Sequence, residues 1–254
     1  MISAVILTKN DEMDIVDCLE SVSWIDEIII IDDYSDDRTL EVVKNNEISG
    51  KIKIYQNKLN QDFAEQRNFG LTKTTKDWVL FLDADERITK ELRSELNEVL
   101  IEEKNKTKNI GFMIPRKDMM WGKLLKFGES GNIKLLRLAK RNAGEWVGKV
   151  HEEWIVDGNV SELENFIIHF PHKTINEFLK EINFYTTIRA KELYEKGKKS
   201  SLFQIIFYPK AKFVINYFLK LGILDGLEGL VFAILMSFHS FLVRGKLWLL
   251  WGKR

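Results

Sequence analysis

The sequence has little of the cysteine, proline and glycine on which several common protein classes depend. A single cysteine, Cys18, excludes an intramolecular disulfide framework and a cysteine-based zinc cluster. Three prolines in 254 residues, with 45% apolar and 30% charged side chains, exclude a collagen-like or low-complexity chain. The first hundred residues contain only Gly50 and Gly70, so they hold no G-x-G-x-x-G turn, and the chain has no Walker loop. A dinucleotide-binding dehydrogenase and a P-loop nucleotidase are therefore disfavoured.

Net charge is also absent, because 38 basic and 38 acidic residues cancel. The balance hides an asymmetry: residues 196–254 carry ten basic side chains against two acids, Asp225 and Glu228, so this tail is +8 and the rest is −8. Eleven of the 29 aromatic residues also lie in the tail. A basic arm for nucleic acid is not so apolar, and we expect no nucleic-acid partner.

No long uncharged stretch occurs. The longest, 229–243, has fifteen residues, fewer than the roughly 20 needed to span a bilayer. Apolar and aromatic residues mixed with lysine and arginine predict interfacial helices on an anionic membrane surface, with Trp248 and Trp251 near the headgroups. A docked helical cap, a dimer interface and a short re-entrant pair are the alternatives, and the sequence leaves the oligomeric state open.

Strand-like and helix-like segments alternate through the first hundred residues. Short apolar, β-branched runs at 3–7 and 27–31 predict strands buried on both faces, and further strands are predicted at 51–55 and 78–82. Amphipathic segments predict helices at 15–22, 36–45, 64–72 and 90–104. This alternation predicts an α/β fold with a parallel sheet, whose ligands bind at the carboxyl ends of the strands. Shorter strands are expected between 110 and 170, and helices after His172.

Two predicted strands end abruptly in acids. The apolar run 78–82 is followed by Asp83-Ala84-Asp85-Glu86. Residues two apart in an extended chain point the same way, so we expect Asp83 and Asp85 to project together. Two close carboxylates repel each other unless a cation lies between them. Mg²⁺ or Mn²⁺ is the expected cation, because it is bound by one or two carboxylates together with substrate phosphates.

The second acidic strand end follows residue 31, where the chain reads Asp32-Asp33-Tyr34-Ser35-Asp36-Asp37-Arg38-Thr39. Asp32 is nearest the strand, and we predict that it accepts hydrogen bonds from a ribose hydroxyl or a base N–H. The other acids are interpreted mainly as caps of the next helix.

Together these stretches resemble the family 2 glycosyltransferases with a GT-A fold, and most closely the bacterial branch related to lipopolysaccharide core β-glucosyltransferases. The resemblance also rests on four further segments, namely Val5-Ile-Leu-Thr8-Lys-Asn10-Asp-Glu12, Gln66-Arg67-Asn68-Phe69-Gly70-Leu71, Arg137-Leu138 and Val150-His151-Glu152, followed by His169. Tyr34 departs from it, since the family usually has glycine there.

The resemblance implies a GT-A domain over 1–172, with a Rossmann-like, mostly parallel sheet and flanking helices. The composition of 173–254 predicts a helical, membrane-associating segment. It implies inverting transfer of a sugar from a nucleotide-sugar donor, with a UDP-sugar as the expected donor. It implies a divalent metal at Asp85, with Asp83 serving the metal or the ribose. The remaining donor-binding residues that it implies are Thr8, Asn10, Glu12, Asp32 and Arg67.

Glycosyl transfer also needs a base that takes a proton from the acceptor hydroxyl. We predict Glu152 for this role, while His151 is a metal ligand, an acceptor-binding group or the base itself. Adjacent side chains diverge on a strand, so both cannot face the pocket in regular β structure. Arg137 is expected to reach a donor phosphate or to hold the loop that carries the base. His169 carries a weaker signal.

The first hypothesis is a metal-dependent hexosyltransferase that acts on a lipid-linked or lipopolysaccharide-type saccharide at the cytoplasmic face of the cell membrane. A polyprenyl-phosphate glycosyltransferase is the second, and it would need little base catalysis because its acceptor is a phosphate. The third is a catalytically inactive, sugar-nucleotide-binding membrane scaffold, against which the intact Asp83, Asp85 and Glu152 argue.

Overall fold

The protein consists of two compact units. A computed structural model describes residues 1–60, 62–106, 108–148, 152–172 and 174–252. The first unit comprises Met1–Arg116 and Lys134–His169, and the second comprises Lys117–Ile133 and Phe170–Arg254. The segment 117–133 therefore packs with the tail, a grouping that the order of the sequence does not reveal.

Twelve strands and seven α-helices are found in the described residues. The strands are β1 (Ile2–Thr8), β2 (Glu27–Asp32), β3 (Ile52–Gln56), β4 (Trp78–Asp83), β5 (Glu86–Ile88), β6 (Gly111–Met120), β7 (Lys123–Leu124), β8 (Ile133–Lys140), β9 (Gly144–Val147), β10 (Glu153–Val156), β11 (Val160–Glu162) and β12 (Ile167–His169). The helices are α1 (Ile15–Ser21), α2 (Thr39–Lys44), α3 (Phe63–Lys73), α4 (Lys90–Lys106), α5 (Ile175–Glu195), α6 (Leu202–Val214) and α7 (Gly226–Gly252).

The main sheet has the order β3-β2-β1-β4-β8-β6-β12-β5. Strands β3, β2, β1 and β4 are parallel neighbours, whereas β8 runs antiparallel to β4 and β12 antiparallel to β5. Strands β9 and β10 form a separate antiparallel pair. The predicted α/β fold with a mostly parallel sheet is confirmed.

The central strands are unbroken runs of apolar residues because both faces of the sheet are covered. In β2, Ile28 and Ile30 belong to one buried cluster, while Ile29 and Ile31 belong to the other. Successive side chains of a strand point to opposite faces, so an unbroken apolar run is what a doubly covered sheet requires.

One helix begins later than predicted. The segment expected to be helical from residue 36 begins at Thr39, as α2. Asp37 lies before it and accepts hydrogen bonds from the backbone N–H and the hydroxyl of Thr39, at 2.9 and 2.5 Å. The acids at 36 and 37 therefore belong to a loop at the carboxyl end of β2.

The second unit ties segment 117–133 to the helical tail. Asp225 is only 3% exposed and accepts hydrogen bonds from the backbone N–H groups of Lys126 and Phe127. Met120 and Leu125 share a buried cluster with apolar residues of α5 and α7. Removing the tail would expose this cluster, so the experiments proposed below use the full chain.

Helix α7 is longer than the uncharged run counted from the sequence. Gly229 and Gly245 lie inside it rather than ending it. By length and composition, the helical stretch Gly222–Gly252, which contains α7, is the one such stretch in the described residues that reaches the size of a membrane span. The fifteen-residue run therefore does not by itself exclude a crossing.

Glu27 supports the end of the sheet at which β2 begins. Its carboxylate accepts hydrogen bonds from the Ser3 hydroxyl at 2.6 Å, the Thr75 backbone N–H at 2.8 Å and the Lys53 ammonium at 2.8 Å. Burial would raise the pKa of this carboxyl, but these bonds outweigh it and lower the pKa to about 2.

We expect Glu27→Gln to lower the free energy of unfolding by about 2 kcal/mol at neutral pH, since buried donors lose a charged acceptor. A depressed carboxyl pKa stabilises the fold above the ordinary value of 4.5, and this contribution disappears as the pH falls towards 2. Denaturant unfolding across this range should show the two proteins converging at acid pH. Lys53→Met is the control, with a smaller effect because Lys53 is half-exposed. A difference that does not change with pH would contradict the assignment.

Candidate active site

The carboxyl ends of three strands bring the predicted residues together. Thr8 of β1 lies opposite Asp32 of β2, and Leu7 lies opposite Asp83 of β4. This register sets Asp32 and Asp83 at the carboxyl ends of strands on either side of β1.

Asn10 and Glu12 join two loops at this edge. The Asn10 side-chain oxygen accepts a hydrogen bond from the backbone N–H of Asp36 at 2.9 Å, and the Glu12 carboxylate accepts one from that of Arg38 at 3.0 Å. These predicted donor contacts thus shape the loop that follows β2. A role in donor binding stays a prediction for both.

Asp32 and Thr8 are also engaged within the protein. Asp32 is fully buried and accepts hydrogen bonds from Ser35 and from the Gln56 side chain. The Thr8 hydroxyl donates to Asp11 at 2.8 Å. Burial raises the pKa of Asp11 to about 6.

The Gln-Arg-Asn segment of α3 connects three parts of the site. Gln66 exchanges two hydrogen bonds with Asn57, at 2.7 and 2.9 Å. Asn68 holds the backbone of Trp146 in β9 through two more, at 2.8 and 2.9 Å. Arg67, between them, faces the acids. Successive residues of a helix point in different directions, so one short motif fixes a loop, a hairpin and a charge cluster.

Arg67 is 2% exposed and bridges two of the predicted functional carboxylates. Its Nε donates to Glu152 at 3.0 Å and its Nη2 donates to Asp83 at 2.9 Å. Its guanidinium lies 4.8 Å from the ring centroid of Trp146. Its Nη1 is buried and has no hydrogen-bond partner among the described residues. Sequence reasoning found Arg67 but not this bridge.

Asp83 lies between two arginines. Arg137 Nη2 donates to Asp83 at 2.8 Å and to Glu86 at 3.2 Å. Glu86 is fully buried, accepts from the backbone N–H of Asp83, and pairs with Arg116 at 3.5 Å. Burial would raise the pKa of Asp83, but the charges of Arg67 and Arg137 outweigh it and hold that pKa well below its usual range.

Glu86 and Arg116 were not among the predicted site residues. Glu86 had one signal, its position directly after the acidic motif. Arg116 had no sequence signal, because its position beside Glu86 depends on how distant strands pair.

Asp85 has different partners from Asp83. Ala84 and Asp85 form a turn between β4 and β5, so the extended-chain argument that both acids project together is wrong. Asp85 Oδ2 lies 3.3 Å from His169 Nε2, and its Oδ1 is buried without a hydrogen-bond partner among the described residues. A carboxylate oxygen without a partner beside an imidazole suits a divalent cation, which completes its shell with phosphate oxygens and water. No group of three or more metal-ligating side chains occurs in the described ranges.

His151 lies outside the described residues. Its alternatives as metal ligand, acceptor contact or base therefore stay predictions. Glu152 is described, and among the described residues it pairs with Arg67 alone.

The mostly parallel sheet, with acids at the carboxyl ends of its strands, is the arrangement expected of a GT-A glycosyltransferase. The family described as Glycosyl transferase family 2 matches residues 3–139, more than half of the chain. This protein therefore belongs to that family, as its motifs predicted.

Curated relatives extend the likeness to nearly the whole chain. The lipopolysaccharide core biosynthesis glycosyltransferase LpsC of Rhizobium meliloti is 28% identical over 97% of this chain and 92% of its own length. An uncharacterized glycosyltransferase of Rickettsia typhi is also 28% identical, over 97% of this chain and 86% of its own length. The expected likeness to lipopolysaccharide core enzymes is confirmed.

Among solved structures, S. aureus TarS residues 1–349 in complex with UDP is similar in fold. Its TM-score is 0.50 at 17% identity, over 74% of this chain and 65% of that one.

Proposed function

We propose that this protein is an inverting, metal-dependent hexosyltransferase. Its donor is a UDP-sugar, and its acceptor is a hydroxyl of a lipid-linked, lipopolysaccharide-type saccharide at the cytoplasmic face of the membrane. The observation that carries the proposal is Arg67, which joins Asp83 and Glu152 in one buried network. The TarS complex with UDP and the name of LpsC support the donor and the acceptor class.

Glu152 takes the proton of the acceptor hydroxyl as its oxygen attacks the anomeric carbon. Arg67 Nε holds Oε1 of Glu152, while Oε2 makes no hydrogen bond with any described residue and is left for the hydroxyl. This arrangement orients the carboxylate that acts as the base.

The arginines receive the departing diphosphate. Arg67 Nη1 and Arg137 Nε are buried N–H groups without partners in the described part of the chain. Buried donors are normally satisfied, so we assign these two to phosphate oxygens of the donor. Asp83 fixes both guanidiniums in place.

Asp85 and His169 would hold the divalent cation. When bound, the cation would act as a Lewis acid that stabilises the negative charge developing on the diphosphate. Asp83 as a second metal ligand stays a prediction. For Asp83 to bind the cation, Arg67 or Arg137 must release the Asp83 oxygen with which it now pairs.

One observation favours a second candidate, a polyprenyl-phosphate glycosyltransferase. Glu152 forms an ion pair with Arg67 at 3.0 Å, as a carboxylate with a structural role rather than a catalytic one would. A phosphate acceptor is already ionised and needs no strong base.

The test is incubation of the full-length protein with individual nucleotide sugars, Mn²⁺ or Mg²⁺, and either lipid-linked saccharide extract or polyprenyl phosphate. We expect UDP release that depends on saccharide lipid, and a product with inverted anomeric configuration by NMR. Transfer only to polyprenyl phosphate would favour the second candidate. Absence of transfer and of donor hydrolysis with every donor would contradict both.

A further inference from the structure

Helix α6 is strongly apolar, yet none of its thirteen residues is buried. Its exposed large apolar side chains are Leu202, Phe203, Ile206, Phe207, Tyr208 and Val214. Phe203 and Phe207 stack on each other at the surface, with ring centroids 4.4 Å apart. An amphipathic helix in water normally buries its apolar stripe against the protein. Here that stripe faces away from the described chain.

The exposure continues through the turn into α7. A π-helical turn, Ile215–Leu219, and a 3₁₀ turn, Gly222–Asp225, connect the two helices. The exposed apolar residues of this turn are Ile215, Phe218, Leu219, Leu221, Ile223 and Leu224, followed by Leu227 at the start of α7. Leu219 is the most exposed of these residues, at 73%. We call the exposed apolar residues of 202–227 the α6 face.

The charges of this segment suit an anionic lipid surface. Residues 202–227 contain three lysines, Lys210, Lys212 and Lys220, and one acid, Asp225, which is buried. Lys210 Nζ lies 5.6 Å from the ring centroid of Phe207, so a cation accompanies the exposed aromatic pair. Lys212 is paired with Glu129, which leaves Lys210 and Lys220 beside the apolar surface. Apolar surface bordered by lysines binds anionic headgroups and acyl chains together.

The packing of α7 argues against a crossing, although its length would permit one. Helix α5, which carries seven charged residues, lies along α7. Phe178 stacks on Phe232, and Tyr194 contacts Trp251 with ring centroids 4.7 Å apart. A spanning α7 would carry the charges of α5 into hydrocarbon, at a high cost in free energy.

We propose that the α6 face docks on and partly enters an anionic phospholipid bilayer, and that α7 does not cross it. The proposal deepens the proposed function, because it assigns the membrane contact of a lipid-acceptor enzyme to particular residues. Its tests need neither donor nor acceptor, so they fail or succeed independently of the enzymatic activity.

The first test is co-sedimentation of the full-length protein with vesicles of phosphatidylcholine, with and without phosphatidylglycerol. We expect binding to the mixed vesicles, and we expect Phe203→Glu to lower the partition coefficient by about tenfold or more. The matched control is Ile101→Glu on α4, because Ile101 and Phe203 are both 61% exposed. Equal losses in the two variants, or no binding of the wild type, would overturn the proposal.

The second test measures depth and uses the burial of Cys18, which leaves it inaccessible to thiol reagents. An environment-sensitive fluorophore on Leu219→Cys should shift its emission to the blue on mixed vesicles, while the same fluorophore on Ile101→Cys should not. Emission unchanged at both positions would contradict insertion of the turn.

Two further outcomes would also overturn the proposal. A stable dimer without lipid, which Phe203→Glu converts to monomers, would make the α6 face a contact between two copies of the chain. A label at Gly252, at the end of α7, that becomes protected inside sealed vesicles would show that α7 crosses.

Discussion

Glu152→Gln is expected to lower kcat by roughly 10²–10⁴, with little change in affinity for the donor. Glutamine keeps an oxygen for Arg67 Nε, which lies 3.0 Å from the Glu152 carboxylate, so the geometry of the network survives. It cannot take the proton of the acceptor hydroxyl. Steady-state kinetics on the lipid-linked saccharide would measure kcat, and calorimetry would measure donor binding.

Glu153→Gln is the matched control, because Glu153 is the next residue and is exposed on β10. Unchanged kcat in Glu152→Gln, with turnover on polyprenyl phosphate, would favour the phosphate-acceptor enzyme. His151→Ala is expected to weaken metal or acceptor binding instead. If it produced the pure loss of kcat, the two assignments would be exchanged.

Asp85→Ala is expected to abolish measurable transfer, with a loss on the order of 10³-fold or more, and to weaken binding of the donor in the presence of Mn²⁺ or Mg²⁺. The reason is the Asp85 Oδ1 atom, which is buried and has no partner in the described chain. Donor affinity with and without a chelator is the measurement. Wild-type turnover that a chelator leaves unchanged would refute the metal role.

Asp83→Ala is the informative comparison for this variant. Asp83 accepts hydrogen bonds from Arg67 and Arg137, so its removal leaves two buried guanidiniums without their shared carboxylate. That loss costs about 3–5 kcal/mol of stability. We therefore expect Asp83→Ala to unfold at a clearly lower temperature than the wild type, and Asp85→Ala to unfold close to it. A reversed order would contradict the division of roles between the two acids.

The strands and the edge where the site lies were predictable, because their physical causes are local. An unbroken apolar run such as 78–82 requires cover on both faces, and the parallel arrangement brings the ends of such strands together. Gly70 was recognisable in the α3 motif, but the reason for a glycine there lies in tertiary packing. A Cβ there would lie 2.6 Å from Cγ1 of Val5, so only glycine permits this close packing.

The partners of the acids were not predictable in the same way. Asp83 and Asp85 are two residues apart, yet a turn at Ala84 sends one towards two arginines and the other towards His169. His169 reaches this position because β12 pairs with β5 and sets it opposite Glu86. Such a pairing joins residues more than eighty positions apart, and no local pattern encodes it.

The sequence by itself determined the family, the mostly parallel sheet, the acidic edge and the basic, apolar character of the tail, since each depends on residue type and short-range spacing. Only the tertiary structure decided that Arg67 joins Glu152 to Asp83, that segment 117–133 belongs with the tail, and that α6 leaves its apolar side chains uncovered. Each of these depends on which distant surfaces meet, and that choice is made by the packing of the whole chain.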